Sequence, residues 1–303
     1  MIAIKHILCP VDFSEYSRHA LEQAVALARH HHATVMALHV FAVAPVAEVV
    51  PIGAPTALEP VTLPLSARGA LENELRKFVS PVQTEGVTIG LKIGEGDPLT
   101  AIVEAAEALE ADLIVMGTHG RSGFQRLLLG SVAENLLRKT ACPVLTVPPR
   151  ADETTSLAFG RMLCAIDFSP ASLHALEYAA GFASGVQTEL YALNVVELMT
   201  EGGTALRDEL VPGTPDFRAE FRRAAAERLT SAIPASVRAC ARVRELVTVG
   251  KPDRQILHVA EEEACDLIVM GVQARTAADR MLFGSVAQHV LREARCPVLT
   301  VRA

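Results

Sequence analysis

Residues 112–117 read Asp112-Leu113-Ile114-Val115-Met116-Gly117, and the same six letters return as Asp266-Leu267-Ile268-Val269-Met270-Gly271, 154 positions later. A run that stays apolar without alternating marks a strand covered on both faces, and such strands belong to parallel sheets flanked by helices. Working outward, Gly130-Ser131-Val132-Ala133 recurs as Gly284-Ser285-Val286-Ala287, and Cys142-Pro143-Val144-Leu145-Thr146-Val147 as Cys296-Pro297-Val298-Leu299-Thr300-Val301, at the same offset. Near each beginning, Leu8-Cys9 and Asp12-Phe13-Ser14 return as Leu163-Cys164 and Asp167-Phe168-Ser169, 155 positions on. A period this long is a duplicated domain rather than a solenoid repeat of about 20–50 residues.

The 303 residues suit two domains of about 150 residues each, a size at which one core is sustainable. We expect a first domain over 1–150, a second over 157–303, and a linker over 148–160 that contains Pro148, Pro149 and several small or charged residues. In the first half, apolar runs predict strands at Ile4–Val11, Thr34–Phe41, Val87–Ile93, Leu113–Met116 and Val144–Val147. Helical patterns lie between them at Tyr16–His30, near Ala67–Val79, at Leu99–Leu109 and at Val132–Lys139. The second half repeats the strands at Met162–Ile166, Glu189–Val196, Arg244–Val249, Leu267–Met270 and Val298–Val301. Strands alternating with helices build right-handed βαβ units, so the expected class is α/β with two tandem doubly wound domains.

Composition narrows the function. Half of the residues are hydrophobic, 21% are charged and the formal net charge is −7, which suits a globular chain and argues against a main partner that is nucleic acid. No membrane span is expected, because the weakly polar stretch 40–65 is punctuated by five prolines and reads as a loop. Lys5 and His6 interrupt the first apolar stretch, so no secretory leader is expected and the location reads as cytoplasmic. The six cysteines read as free buried thiols. His30-His31-His32 reads as a solvated helix end, where imidazoles suit the dipole.

In a doubly wound sheet, ligands bind beyond the carboxyl ends of the strands. Asp12 leaves the first strand, and Gly117-Thr118-His119-Gly120-Arg121-Ser122-Gly123 leaves the strand at Leu113–Met116. Three glycines in seven positions let backbone N–H groups converge on an oxyanion. Ser131-Val132-Ala133-Glu134 reads as a capping box, placing a positive helix end at the same point. His119, Arg121 and Arg126 add cationic potential, and the two arginines return as Arg275 and Arg280. Asp12 recurs as Asp167 where packing offers no evident use for a carboxylate. A helix N-cap is the competing reading of both. Neither a P-loop nor a G-x-G-x-x-G turn after the first strand is present.

Gly117-x2-Gly120-x9-Gly130-Ser131, together with Ile7-Leu8-Cys9-Pro10-Val11-Asp12-Phe13-Ser14, resembles the universal stress protein family in its tandem, ATP-binding form. The resemblance spans nearly the whole chain. It implies five-stranded parallel sheets of the adenine-nucleotide hydrolase-like type, with the last strands of the halves pairing antiparallel as an intramolecular pseudo-dimer. It also implies that Pro10, Val11 and Asp12 line the adenosine end and that Val40 flanks adenine. Met116, Gly117, Gly120, Gly130, Ser131 and Val132 would cradle the phosphates. The counterparts are Ala165, Ile166, Asp167, Val195, Met270, Gly271, Gly284, Ser285 and Val286. Ala274 stands where the motif has glycine, Ala277 replaces Gly123 and Gln273 replaces His119. The expected ligand, ATP or ADP with or without magnesium, should therefore be held mainly by the first half. The implied role is nucleotide-dependent stress response or signalling, with no catalytic residue and no protein metal ligand assigned. A weak ATPase and a non-binding interaction scaffold are the alternatives, and a homodimer of chains is left open.

Overall fold

The computed structural model describes residues 3–42, 64–82, 84–118, 129–148, 159–183, 188–197, 215–272 and 284–302. The first half runs β1 (His6–Pro10), α1 (Glu15–His31), β2 (Thr34–Phe41), α2 (Leu65–Val79), β3 (Ile89–Glu95), α3 (Pro98–Ala108), β4 (Leu113–Gly117), α4 (Ser131–Lys139) and β5 (Val144–Val147). The second runs β6 (Arg161–Ala165), α5 (Pro170–Phe182), β7 (Glu189–Val196), α6 (Pro215–Ala232), α7 (Ala235–Cys240), β8 (Arg242–Val249), α8 (Pro252–Glu262), β9 (Leu267–Val272), α9 (Ser285–Glu293) and β10 (Val298–Arg302). The short α7 was not read from the sequence. Most of the proline-rich stretch 40–65 and of the 148–160 linker falls outside the described residues.

The ten strands of the described residues form one sheet, ordered β3-β2-β1-β4-β5-β10-β9-β6-β7-β8. Pairing is parallel within each half and antiparallel where β5 meets β10, with Leu145 opposite Leu299. The repeated hexapeptide shows why its apolar run does not alternate. Leu113 and Val115 enter one core, Ile114 and Met116 the other, and Leu267/Val269 and Ile268/Met270 divide the same way. Each strand therefore buries both of its faces. The leading aspartates clamp the strand entries: Asp112 accepts N–H bonds from Lys5 (2.7 Å) and His6 (2.9 Å), and Asp266 accepts from Gly160 (2.7 Å) and Arg161 (3.1 Å).

The seam between the halves is satisfied symmetrically. Thr146 Oγ1 donates to the Val298 carbonyl (3.1 Å) and Thr300 Oγ1 to the Val144 carbonyl (3.2 Å). Arg302 donates to the Leu137 carbonyl (2.9 Å) and to that of Arg138, covering the negative end of α4 from the other half. Gln288 of α9 donates to Glu134 of α4 (2.9 Å), so equivalent positions of the two halves touch.

The histidine run departs from its solvated reading. His30 and the left-handed C-cap His32 are exposed, but His31 turns inward, 5.6 Å from the ring of Phe182 in the other half, and its Nε2 is buried without a partner among the described residues. Burial, reinforced by the charges of His30 and His32, lowers its pKa from 6.5 to about 4. The unfolded chain therefore takes up this proton first. Stability from His31 is complete above about pH 6.5 and is lost as pH falls toward 4. Urea midpoints compared from pH 7 to pH 4 should fall more steeply for the wild type than for His31→Leu. Parallel slopes would show that His31 is not the titrating group.

Candidate functional site

In the second half, the carboxyl ends of β6, β7 and β9 and the start of α9 surround a cleft of about 740 Å³. The second-half counterparts of the first-half site residues line it: Ala165, Ile166, Asp167, Val195, Met270, Gly271, Gly284, Ser285 and Val286. Leu193, Ile256 and Gln288, not singled out from the sequence, line it too. The walls are largely aliphatic, with the Asp167 carboxylate and the starts of α8 and α9 among them.

The start of α9 has no side-chain cap among the described residues. Gly284 is the N-cap of α9 and supplies no side-chain cap, and a Cβ built on it would meet nothing within 4 Å. Its φ of −52° and ψ of 140° are ordinary for any residue, so backbone geometry does not require glycine there. Gly130 is likewise the uncapped N-cap of α4. The capping box expected at Ser131 is thus not formed: Ser131 is the first helical residue, and Glu134 instead pairs with Arg138 (2.6 Å) and Gln288. Among the described residues no side chain caps either helix start, and open first-turn N–H groups form a place suited to an anion.

The aspartates are more embedded in the fold than the sequence suggested. Asp12 Oδ1 accepts from the Ser14 backbone N–H (3.1 Å) and hydroxyl (2.5 Å), while Ser14 is the N-cap of α1. Asp167 accepts from the Ser169 N–H (3.0 Å), and Ser169 caps α5. Neither aspartate is itself the cap, yet both brace it, which gives the carboxylate a local use. Burial raises the Asp167 pKa, but the Ser169 and Ser172 hydrogen bonds outweigh it and leave the carboxyl below its ordinary range. Phe13 (φ 65°) and Phe168 (φ 62°) follow in the left-handed region, a conformation bulky residues adopt only where the surroundings enforce it. Part of that enforcement comes from below the turn. Asn194 Nδ2 donates to the Ile166 carbonyl (2.7 Å), and His39 Nδ1 meets the Val11 carbonyl (2.8 Å), which makes it the donor. Sequence reasoning missed this pair; its signal is a polar residue inside each apolar second strand.

In the first half, Pro10 closes β1, Val11 N–H bonds the Leu38 carbonyl (2.8 Å), Val40 lies near the end of β2, and Met116 and Gly117 close β4. Gly130 N–H bonds the Thr118 carbonyl (2.8 Å), tying the start of α4, with Ser131 and Val132, to the exit of β4. The fold thus gathers these residues around the ends of three adjacent strands. His119, Gly120, Arg121 and Arg126 lie outside the described residues, as do Gln273, Ala274, Arg275, Ala277 and Arg280. Gly117 has a packing reason of its own: a Cβ there would lie 3.0 Å from the Tyr16 carbonyl oxygen, and one on Gly271 would lie 2.3 Å from backbone atoms of Ala171 and Ser172.

The sequence profile of the universal stress protein family matches residues 3–148 and 158–302. The chain belongs to the universal stress protein family. A family member from Mycolicibacterium smegmatis is 29% identical over 311 residues, covering 98% of this chain and 96% of its own. One from Methanocaldococcus jannaschii is 39% identical over 143 residues, covering 47% of this chain and 81% of its own. The solved structure of a universal stress protein from Archaeoglobus fulgidus superposes with a TM-score of 0.65 at 23% identity, covering 98% of each chain, a likeness of fold. Among the described residues no helix is long and apolar enough to cross a membrane, and no group of three His, Cys, Asp or Glu side chains is placed to hold a metal ion.

Proposed function

We propose that this universal stress protein binds an adenine nucleotide, ATP or ADP, at the carboxyl ends of its strands, held mainly by the first half, in a cytoplasmic stress or signalling role. The observation that carries the reading is the pairing of an uncapped helix start with a braced aspartate across an apolar cleft, in register with the same elements of the other half. The parts fit the chemistry of a nucleotide. Aliphatic walls suit a purine, a carboxylate accepts from ribose hydroxyls or an exocyclic amine, and open helical N–H groups suit phosphate. The first half is favoured because it keeps Gly120 and Gly123 where the second has Ala274 and Ala277. Magnesium would accompany the phosphates rather than be held by protein ligands.

Asp12→Asn tests the adenosine end. The amide oxygen still accepts from Ser14, so the brace survives while the charge is lost. ATP affinity is expected to fall about tenfold, the worth of one hydrogen bond to a charged acceptor, with little change in the melting of the ligand-free protein. A bare triphosphate should bind equally well to both proteins. Unchanged ATP affinity with lowered melting would make Asp12 a purely structural residue. Calorimetry showing no ATP binding to the wild type would remove the nucleotide reading altogether.

A further inference from the structure

In each half the first two strands part at the same place. Their pairing runs from His6–Thr34 to Pro10–Leu38 in the first half and from Arg161–Glu189 to Ala165–Leu193 in the second. Beyond it β2 stays paired with β3 as far as Phe41, and β7 with β8 as far as Val196. The second strand therefore runs on while the first turns off into its Asp-Phe-Ser corner. One backbone bond still crosses in each half, from Val11 N–H to the Leu38 carbonyl and from Ile166 N–H to the Leu193 carbonyl, both 2.8 Å. The next carbonyl is met by a side chain: His39 Nδ1 donates to Val11 (2.8 Å) and Asn194 Nδ2 to Ile166 (2.7 Å). His39 and Asn194 are both buried and stand 155 positions apart, the offset that relates Asp12 to Asp167. A buried donor placed on the carbonyl directly before the aspartate fixes the peptide from which that carboxylate projects.

The first half adds a second hold. The His39 ring lies 4.2 Å from that of Phe13, tilted by 33°, and the Phe78 ring of α2 meets Phe13 edge-on at 5.5 Å. A bulky residue at φ 65° keeps that conformation only while its surroundings over-determine it. One imidazole thus grips the residue before Asp12 by a hydrogen bond and the residue after it by ring contact. Asn194 repeats the hydrogen bond alone, and Phe168 is covered instead by the Arg228 guanidinium of α6, 4.0 Å from the ring centroid. We propose that His39 is a positioning residue for nucleotide binding, fixing the direction of the Asp12 carboxylate and acting on the ligand only through it. The inference rests on the nucleotide reading given above. The second half supplies the conservative replacement, because asparagine reaches the equivalent carbonyl from the equivalent position.

Calorimetry on the full-length protein compares ATP binding by the wild type, His39→Leu and His39→Asn. His39→Leu removes both holds and should weaken ATP about tenfold, whereas His39→Asn keeps the donor and should stay within about threefold of the wild type. His39→Leu combined with Asp12→Asn should cost no more than either change alone, and inorganic tripolyphosphate should bind all of these proteins alike. A second measurement needs no ligand. Asp12 Oδ1 holds the Ser14 N–H (3.1 Å), so amide exchange at Ser14 should quicken about tenfold in His39→Leu and stay near wild type in His39→Asn. Each rate is taken as a ratio to the buried strand amide of Val115, so that a change in overall stability cancels. Should His39→Leu fail to fold, His39→Phe, which removes the donor and keeps a ring, takes its place in every comparison. The proposal is overturned if His39→Asn loses as much affinity as His39→Leu, if the two substitutions add, or if tripolyphosphate binding falls in step with ATP. A wild type that binds no ATP removes the nucleotide reading itself, a failure told apart from these because the Ser14 ratios decide the hold on Asp12 without ligand. Equal ratios in all three proteins overturn that hold.

Discussion

Gly271→Ala is expected to destabilise the protein by about 3 kcal/mol, at the upper end of what overpacking a core position costs. The new methyl carbon would sit 2.3 Å from the Ala171 carbonyl carbon and the Ser172 nitrogen, and 2.5 Å from the Ala171 oxygen. These are backbone atoms of the first turn of α5, so no side chain can turn aside to make room. Moving that turn also displaces Ser172, whose hydroxyl meets the Asp167 N–H at 3.3 Å. Gly117→Ala meets the Tyr16 backbone at 3.0 and 3.1 Å, a conflict that a few tenths of an ångström relieve, and should cost about 1 kcal/mol. Urea unfolding of the two variants beside the wild type measures the difference. If Gly271→Ala shifts the midpoint no more than Gly117→Ala, the close approach of β9 and α5 is not what selects glycine.

The second large effect is expected at a glycine whose backbone conformation does not require it. Gly130 has φ −58° and ψ 141° as the N-cap of α4, a conformation aspartate adopts readily. Gly130→Asp adds the missing side-chain acceptor and a negative charge at the positive helix end, raising stability by about 1 kcal/mol. The same carboxylate occupies the place proposed for phosphate, and ATP affinity should fall about a hundredfold, equivalent to about 2.7 kcal/mol. Stability and binding then move in opposite directions, which simple misfolding does not produce. Gly284→Asp is the matched variant, where the added Cβ meets nothing within 4 Å. With nucleotide held mainly by the first half, it should stabilise the chain and leave most ATP binding intact. The reverse ranking would move the principal site to the second half.

These expectations show what was legible in the sequence and what was not. The hexapeptide at 112–117 and its copy announced buried parallel strands, because burial on both faces removes alternation, and the limits expected for β5 and β7 match the structure. The placement of Asp167, Gly284 and Ser285 around one cleft followed from the rule that ligands sit at strand exits. The reasons for individual residues were less legible. Gly271 looked like part of a phosphate cradle, yet its missing side chain admits α5, an approach visible only once the helix is laid on the sheet. Ser131 had the spacing of a cap, but the helix begins one residue earlier and Glu134 turns toward Arg138 and the other half. Asn194 and His39 brace the strand exits through contacts 28 residues away in sequence, which local patterns do not encode.

The antiparallel join of β5 to β10 carries a consequence for how the protein behaves in a cell. Two separate subunits sharing such a seam obey mass action, and dilution would part them and bare two strand edges. On one polypeptide the partner edge stands at a fixed effective concentration whatever the number of copies present. Scarcity leaves the joined sheet intact, so a few molecules per cell would carry the same paired architecture as an abundant pool.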